Sequence, residues 1–501
     1  MPRHPDPVRL GLDLGTQSAR AVAVDAGGRV LAAASRPLHS SRSGERHEQD
    51  PEEWWRALAA ACREALAEVD PARVTALALD GTSGTILLAD QAGTPLTPGL
   101  MYDDGRAAAQ AARVNEVGAA VWEELGYRAV QPSWALPKLL WLLEHSAAGT
   151  VPGARLLHQV DLVTWRLAGR QVASDASHAL KTGYHLLAEG WPEKELAALG
   201  VPGALLPEVV RPGTVLGTVC AAAARVTGVP EGVRIVAGMT DGCAAQIGAG
   251  ALSPGAWNSV LGTTLVLKGV SPRLVRDPGG LVYCHRGPGD AWLPGAASSS
   301  GAGALTREFP GADLADLTAR AARLAAPGGR GHDAVAYPLA GSGGERFPFR
   351  APGARPFVLG DPADEAERFH AHLLGVACLE RLCFDYLDHL GAPVDGPLTL
   401  TGGGTRNAYW NQLRADVLGR TVTLPEHAEG ALGMAVLAAT ADGTPLTEAA
   451  AAMVRVRTAH RPDPGRTARF RPAYLAFVNA LNDRGWLAPE VAEHAVGKAQ
   501  Q

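Results

Sequence analysis

The stretch RLGLDLGTQSARAVAVD, residues 9–25, is an apolar run, a Gly-centred polar turn and a second apolar run. The same pattern returns in the second half of the chain as AWNSVLGTTLVLKGV, residues 256–270. In both, the residues after the turn alternate or are β-branched enough to read as a strand folding back beside the first. A dinucleotide fold needs G-x-G-x-x-G opening a helix, and a P-loop needs G-x-x-x-x-G-K-[ST]. Neither spacing is present, so each turn belongs to a hairpin and not to a strand–loop–helix unit. One such hairpin per half, an echo without a strict repeat, points to two lobes of related architecture. A chain of 501 residues is also too long for one ordinary core. The boundary is expected near 250, at ALSPGA. This gives an N-terminal lobe over 1–250, a C-terminal lobe over 251–485 and a polar tail over 486–501.

The first half alternates strands and helices. Residues 8–14, 19–25 and 29–35 read as a meander with Gly27-Gly28 as a turn. Asp50 reads as an N-cap, with Pro51 at the first helical position and Glu53 completing a variant capping box. Trp55, Leu58, Cys62, Leu66 and Val69 are spaced as the buried face of that helix. Val74–Leu79 is a strand ending in DGTSGT. Further helices are expected over 105–126, 135–145 and 158–167. VRIVAG, from 233, is a strand that leads through TDG into a small-residue helix. Residues 327–356, rich in Gly, Pro and Arg, are expected to form a long loop. A helix is expected over 367–390, and PLTLTGGGTRNAYWNQLRADVLG reads as strand, triple-Gly turn and helix.

Bulk properties exclude several classes. A net charge of −5 without a basic block argues against nucleic acid as the partner. No apolar run of about 18 residues escapes a charge or a breaker, which argues against a membrane span. The N-terminal MPRHPDPVR meets a strand without the apolar stretch of a signal peptide. The six cysteines form no C-x-x-C pair and read as reduced, mostly buried thiols of a cytoplasmic protein, with no zinc site.

Three aspartates, Asp13, Asp80 and Asp241, end apolar runs. A strand-end Asp commonly does no more than cap a turn or a helix. Asp241 stands apart because GMTDGCAA leaves space around it, and the helix that follows favours an anion at its N-terminus. Gly15-Thr16-Gln17 and Gly262-Thr263-Thr264 offer the amides and hydroxyls that a triphosphate needs, although either turn alone could be a plain hairpin. Gly402-Gly403-Gly404 before a helix fits close approach of a flat ligand or a phosphate, or else a strained strand–helix turn. Together these parts describe a nucleotide held between two lobes, with Asp13 and Asp241 available to a hydrated magnesium ion.

At this point the chain resembles the FGGY carbohydrate kinases, within the sugar kinase, actin and heat-shock chaperone superfamily. The likeness runs from about 8 to 445. It rests on GLDLGTQSARAVAVD, GMTDGCAA, SVLGTTLVLKG, GGERFPF and LTGGGTRNAYWNQLRADVLG, in family order. The resemblance implies an α/β fold of two ribonuclease H-like lobes around a central cleft. It implies Asp241 as catalytic base, Asp13 beside the metal and the reacting groups, and Mg²⁺ and ATP as cofactors. Gly15, Thr16 and Gln17 match the first phosphate turn, and Gly262, Thr263 and Thr264 the second. Gly402, Gly403, Gly404 and Asn407 match the adenosine side.

Many xylulokinase-like members carry Met-His-Gly where this chain reads Gly81-Thr82-Ser83-Gly84, and glycerol kinases carry Arg-Glu. DGTSGT, with MYDDGRA and SDASHALKTGYHL, is similar to the branch that phosphorylates D-ribulose, which makes Ser83 the sugar-contact candidate. The implied reaction is phosphorylation of a ketopentose, D-ribulose first and D-xylulose as the alternative. His178 and Lys181 fall near the cleft without an implied role, and monomer and homodimer both stay open. Two other readings compete: a chaperone- or actin-like ATPase without sugar transfer, and a non-catalytic sugar sensor. The absence of a β-rich substrate domain speaks against the first, and the intact Asp13, Asp241 and Gly-Thr turns against the second.

Overall fold

The computed structural model describes residues 6–324, 334–341 and 343–500. Strands β1 (Val8–Leu14), β2 (Ser18–Asp25) and β3 (Val30–Pro37) form an antiparallel meander. β4 (Val74–Gly81) runs parallel to β1 on its other side. With β5 (Val215–Thr218) and β6 (Arg234–Val236) the sheet has the order β5-β6-β4-β1-β2-β3.

The second sheet repeats the plan. β7 (Trp257–Leu261), β8 (Leu265–Gly269), β9 (Tyr283–Arg286) and β10 (Trp292–Ala297) are successively antiparallel neighbours in the order β9-β10-β8-β7. β11 (Leu398–Thr401) and β12 (Val422–Pro425) then continue parallel to β7, and β13 (Val456–His460) closes the edge. Each sheet thus sets an antiparallel hairpin beside parallel strands, the ribonuclease H-like order. The two Gly-Thr turns occupy the same place in both.

β1 is apolar almost throughout because helices cover both of its faces. On one side lies α1 (Pro51–Ala65), whose Trp54, Leu58, Cys62 and Ala65 join Leu10, Leu12 and Leu14 in one core. The buried tryptophan is Trp54, not the expected Trp55. Trp54 Nε1 donates to Gln49 Oε1 at 2.7 Å, while Trp55 sits half-buried beneath Arg166. Asp50 does cap the helix, accepting from Glu52 N at 2.9 Å. The capping box is absent, since Glu53 instead accepts from His39 N at 3.1 Å.

The helices that frame the site include α2 (Asp241–Gly248), α3 (Glu365–His389), α4 (Ala408–Leu418) and α5 (Gly430–Ala438). α3 and α4 clasp β7 through a fully buried network. Arg414 pairs both carboxylate oxygens of Glu380, at 2.7 and 2.8 Å, and both residues bond Ser259 Oγ. α5 does not stay with its own half of the chain. It packs on the open face of the first sheet, against Val22, Ala76, Ala78 and α2. Gly11 makes this approach possible, because a Cβ there would lie 1.6 Å from Ala431 O. A single cut near 250 therefore does not separate the two cores. Asp442, just past α5, also pairs with Arg9 and Arg234 at the far end of the first sheet.

Two other expectations change. The stretch expected as a polar tail contains helix α6 (Pro489–Gln500), whose Val491, Ala492, Ala495 and Ala499 are buried against the second lobe. Its polar residues are only the outer face of an amphipathic helix. Of the long loop expected over 327–356, residues 327–333 and 342 lie outside the described residues. The remainder includes a buried strand, Val335–Tyr337, paired with Phe357–Leu359.

Candidate active site

The parallel register of β1 and β4 sets Asp13 directly opposite Asp80. Asp241 opens α2 just after β6, and the preceding Thr240 bridges to Gly81. The three aspartates thus collect where three adjacent parallel strands end, the place where α/β sheets bind ligands. Their environments differ. Asp80 is fully buried, Asp13 half-buried and Asp241 exposed. Burial, then the charge of Asp13, pushes the Asp80 carboxyl well above the usual carboxylate range. Burial also raises Asp13, while the neighbouring Asp80 and the charge of Arg20 work against that rise. Neither Asp80 oxygen has a hydrogen-bond partner among the described residues. Asp13 faces Arg20 Nη1 at 3.6 Å, so of the two carboxyls Asp80 is the more strongly shifted.

The sugar-loop candidate DGTSGT is stiffened from behind. Thr82 donates its amide and hydroxyl to Gln159 Oε1 at 2.9 and 2.7 Å, and its Oγ1 lies 2.6 Å from Thr85 Oγ1. The Ser83 carbonyl accepts from Lys181 Nζ at 3.1 Å, whereas Ser83 Oγ has no partner among the described residues. His178 Nδ1 lies 2.7 Å from Asp175 Oδ2, and its Nε2 approaches the Gly81 carbonyl at 3.4 Å. Burial alone would lower the His178 pKa, but the Asp175 carboxylate outweighs it and the net shift is upward. His178 and Lys181 thus hold the backbone of the loop from its buried side.

The two Gly-Thr turns differ by one residue: Gly15 N donates to Ser18 O at 3.0 Å between the paired Leu14 and Ala19, and Gly262 N to Thr264 O at 3.1 Å between the paired Leu261 and Leu265. Gln17 and Thr263 are exposed, and Thr16 and Thr264 half-buried. Because β7 and β11 are parallel neighbours, the second turn and Gly402-Gly403-Gly404 lie at the same sheet end. The three glycines have different reasons. Gly402 has φ +84°, and a Cβ there would lie 2.6 Å from Leu261 O, so backbone approach demands it. Gly404 faces the Leu261 side chain, and only Gly403 faces open space. The Asn407 side chain is committed to the fold: Oδ1 caps α4 by accepting from Trp410 N at 3.0 Å, and Nδ2 donates to Thr318 Oγ1 at 2.9 Å.

Three residues join the site that sequence patterns did not single out. Glu345, from GGERFPF, is buried and accepts from Ser298 Oγ, Ser299 N, Ser300 Oγ and Tyr337 OH, at 3.0, 2.6, 2.7 and 2.9 Å. It thereby fixes the segment whose Ala302 and Gly303 amides bond Gly262 O and Thr263 O. Tyr102, exposed on MYDDGRA, has its hydroxyl pKa raised by burial and then by the charges of Asp103 and Asp241. Lys138 is fully buried beneath that segment and donates to Met101 O at 2.6 Å, and burial lowers its pKa to about 7. The sequence signal for Glu345 and Tyr102 was their presence in the family-like segments GGERFPF and MYDDGRA, and Lys138 had none.

A cavity of about 880 Å³ opens between residues 127–134 of the first lobe and 280–283 and 343–352 of the second. It reaches Ser133, Trp134 and Tyr283 but neither Asp13 nor Asp241. The aspartate cluster locates the chemistry better than cavity size, because it gathers the groups able to move a proton.

Two similar lobes, a Gly-Thr turn in each and carboxylates at the sheet ends define a phosphotransferase of the sugar kinase and actin class. The particular family follows from comparison with known proteins. The N-terminal domain of the FGGY family of carbohydrate kinases matches residues 8–248, and the C-terminal domain of that family matches 258–441. A xylulose kinase of Streptomyces coelicolor is 34% identical over 463 residues, 90% of each chain. A glycerol kinase of Rhodospirillum centenum is 31% identical over 502 residues, covering 94% of this chain and 96% of its own. The crystal structure of a xylulose kinase from Rhodospirillum rubrum superposes with a TM-score of 0.83 at 26% identity, covering 95% of this chain and 98% of that one. The chain belongs to the FGGY family and is an ATP-dependent sugar kinase. No described helix is long and apolar enough to cross a membrane.

Proposed function

We propose that this kinase transfers the γ-phosphoryl group of ATP to the primary hydroxyl of a ketopentose, with Asp241 as general base. One observation carries the reading: of three aspartates gathered at one sheet end, Asp241 alone is exposed, and it heads a helix. Its Oδ1 accepts from Gly242 N at 2.7 Å, which leaves Oδ2 to take the hydroxyl proton as the oxygen attacks phosphorus. Most of the acceleration comes from alignment in the cleft. Asp13, facing Arg20 and paired in register with Asp80, places a second carboxyl group at the reacting groups. The turns Gly15-Thr16-Gln17 and Gly262-Thr263-Thr264 present amides to the phosphates, with Gly402, Gly403 and Gly404 on the nucleotide side.

Hard carboxylate oxygens, too few for a closed cage, suit a hydrated Mg²⁺ shared with phosphate oxygens. Asp13 and Asp241 would hold the ion. Bound there, Mg²⁺ offsets charge on the transferring phosphoryl group.

For the sugar, the relatives favour D-xylulose, since the kinase 34% identical to this chain is a xylulose kinase. D-ribulose remains a second reading because the loop reads Gly81-Thr82-Ser83-Gly84 in place of Met-His-Gly, with Ser83 Oγ free to take a sugar hydroxyl.

The test measures ADP release with D-xylulose, D-ribulose and glycerol side by side, for wild type and Asp241→Ala. Wild type should turn over a ketopentose. The variant should lose about 10²–10⁴-fold in kcat while ATP affinity persists. Near-normal turnover by Asp241→Ala rejects the assignment of the base, and ATP hydrolysis indifferent to sugar rejects the kinase reading.

A further inference from the structure

We infer that Lys268 and His285, both on the second lobe, form a sugar-reading pair in which the His285 Nε2–H donates to an oxygen of the bound ketose. The inference rests on the proposed function and names a specificity determinant for it.

Lys268, near the end of β8, is buried, and its Nζ lies 2.8 Å from His285 Nδ1 on β9. An ammonium has donors only, so Nδ1 is the acceptor and the single ring proton resides on Nε2. Burial, followed by the charges of Lys268, Lys181 and His178, holds the His285 pKa well below its ordinary value and keeps the ring neutral. The Lys268 ammonium forms no ion pair with a described carboxylate. Besides His285 it meets the Tyr283 ring, 5.4 Å from the centroid. Gly295 clears its space, because a Cβ there would lie 2.9 Å from Nζ. Nε2 of His285 is buried and meets no acceptor among the described residues. A donor left so is costly unless something else completes it.

The position of the pair indicates what completes it. A Cβ on Gly242, the residue after Asp241, would lie 3.5 Å from Lys268 Cε. From His285 the contacts continue through Tyr283, with ring centroids 5.4 Å apart, to Trp134 at 5.9 Å. Trp134 lies 6.0 Å from Lys181 Nζ, which holds the Ser83 carbonyl. The chain of contacts thus runs from the proposed base to the proposed sugar loop. Along it lie two orphan polar atoms from opposite lobes, Ser83 Oγ and His285 Nε2. A ketose carries hydroxyl and carbonyl oxygens on several faces and can engage both. A neutral N–H selects such an oxygen, whereas an imidazolium would equally draw an anion.

His285→Phe keeps the ring volume and removes the donor. It should raise KM for the preferred ketopentose roughly tenfold, the worth of one neutral hydrogen bond. It should leave kcat and the ATP KM within about threefold and narrow the preference between D-ribulose and D-xylulose, as loss of a polar recognition contact does. Lys268→Met, which unlocks the tautomer, should move the sugar KM in the same direction, and it serves as the probe if His285→Phe does not fold. A folded variant with unchanged sugar KM and unchanged sugar ranking overturns the inference. If wild type phosphorylates no sugar in the panel, the functional reading itself falls.

Discussion

At the scale of single residues, the site works by giving chemically similar groups different surroundings. Asp13, Asp80 and Asp241 share a sheet end, yet burial decreases from Asp80 to Asp241, and it pushes the Asp80 carboxyl well above the usual carboxylate range. Lys138 shows the same control and yields a pH prediction. Its folded-state pKa is about 7 against an ordinary value of about 10.4 in the unfolded chain. Between these values the unfolded chain holds a proton that the folded protein does not. Protonation therefore favours unfolding there, and stability rises with pH. Wild type should gain a few kcal/mol relative to Lys138→Met between about pH 7 and 10, saturating below and above that window. Urea unfolding of both proteins across that range checks this, and parallel stability curves would refute it.

At the scale of elements, the second Gly-Thr turn depends on a buried carboxylate. Glu345 gathers three hydroxyls and several amides, and so seats residues 298–303 on the second Gly-Thr turn. Glu345→Gln replaces an acceptor oxygen with an NH₂ group facing donors. It should lower stability by about 1–3 kcal/mol and raise the ATP KM more than the sugar KM. Steady-state kinetics with each substrate varied in turn distinguishes this from a uniform loss. The local grammar of these elements was readable: both hairpins, the Asp50 cap and the helix after the triple glycine stand where their residues suggest. The missing capping box and the choice of Trp54 over Trp55 were not. Glu53 bonds the backbone of another segment, and the two adjacent tryptophans differ only in what lies across from them.

At the scale of the whole molecule, the two lobes are interlocked. α5 comes from the second half of the chain but fills the core of the first lobe, packed against β1 and α2. The Asp241 helix is therefore held by a segment almost two hundred residues downstream. A Cβ at Gly433 would lie 1.9 Å from Ala244 O. Gly433→Ala should cost about 1–3 kcal/mol by overpacking. Because it pushes on the helix that Asp241 heads, it should also lower kcat. Thermal unfolding and turnover measured together check both halves, and a variant of wild-type stability would show that this contact relaxes freely.

The residues alone determined the two-lobed plan, the phosphate hairpins and the candidacy of Asp13, Ser83 and Asp241. The hairpins and the strand-end aspartates follow from the spacing of short stretches, whereas Ser83 was a candidate through the family resemblance of its segment. Only the tertiary structure decided that Asp80 is buried opposite Asp13, that α5 crosses to the other lobe, and that His285 is left with an unmet donor. Such facts depend on strand register and on packing between distant segments, where burial and neighbouring charge set the state of a side chain.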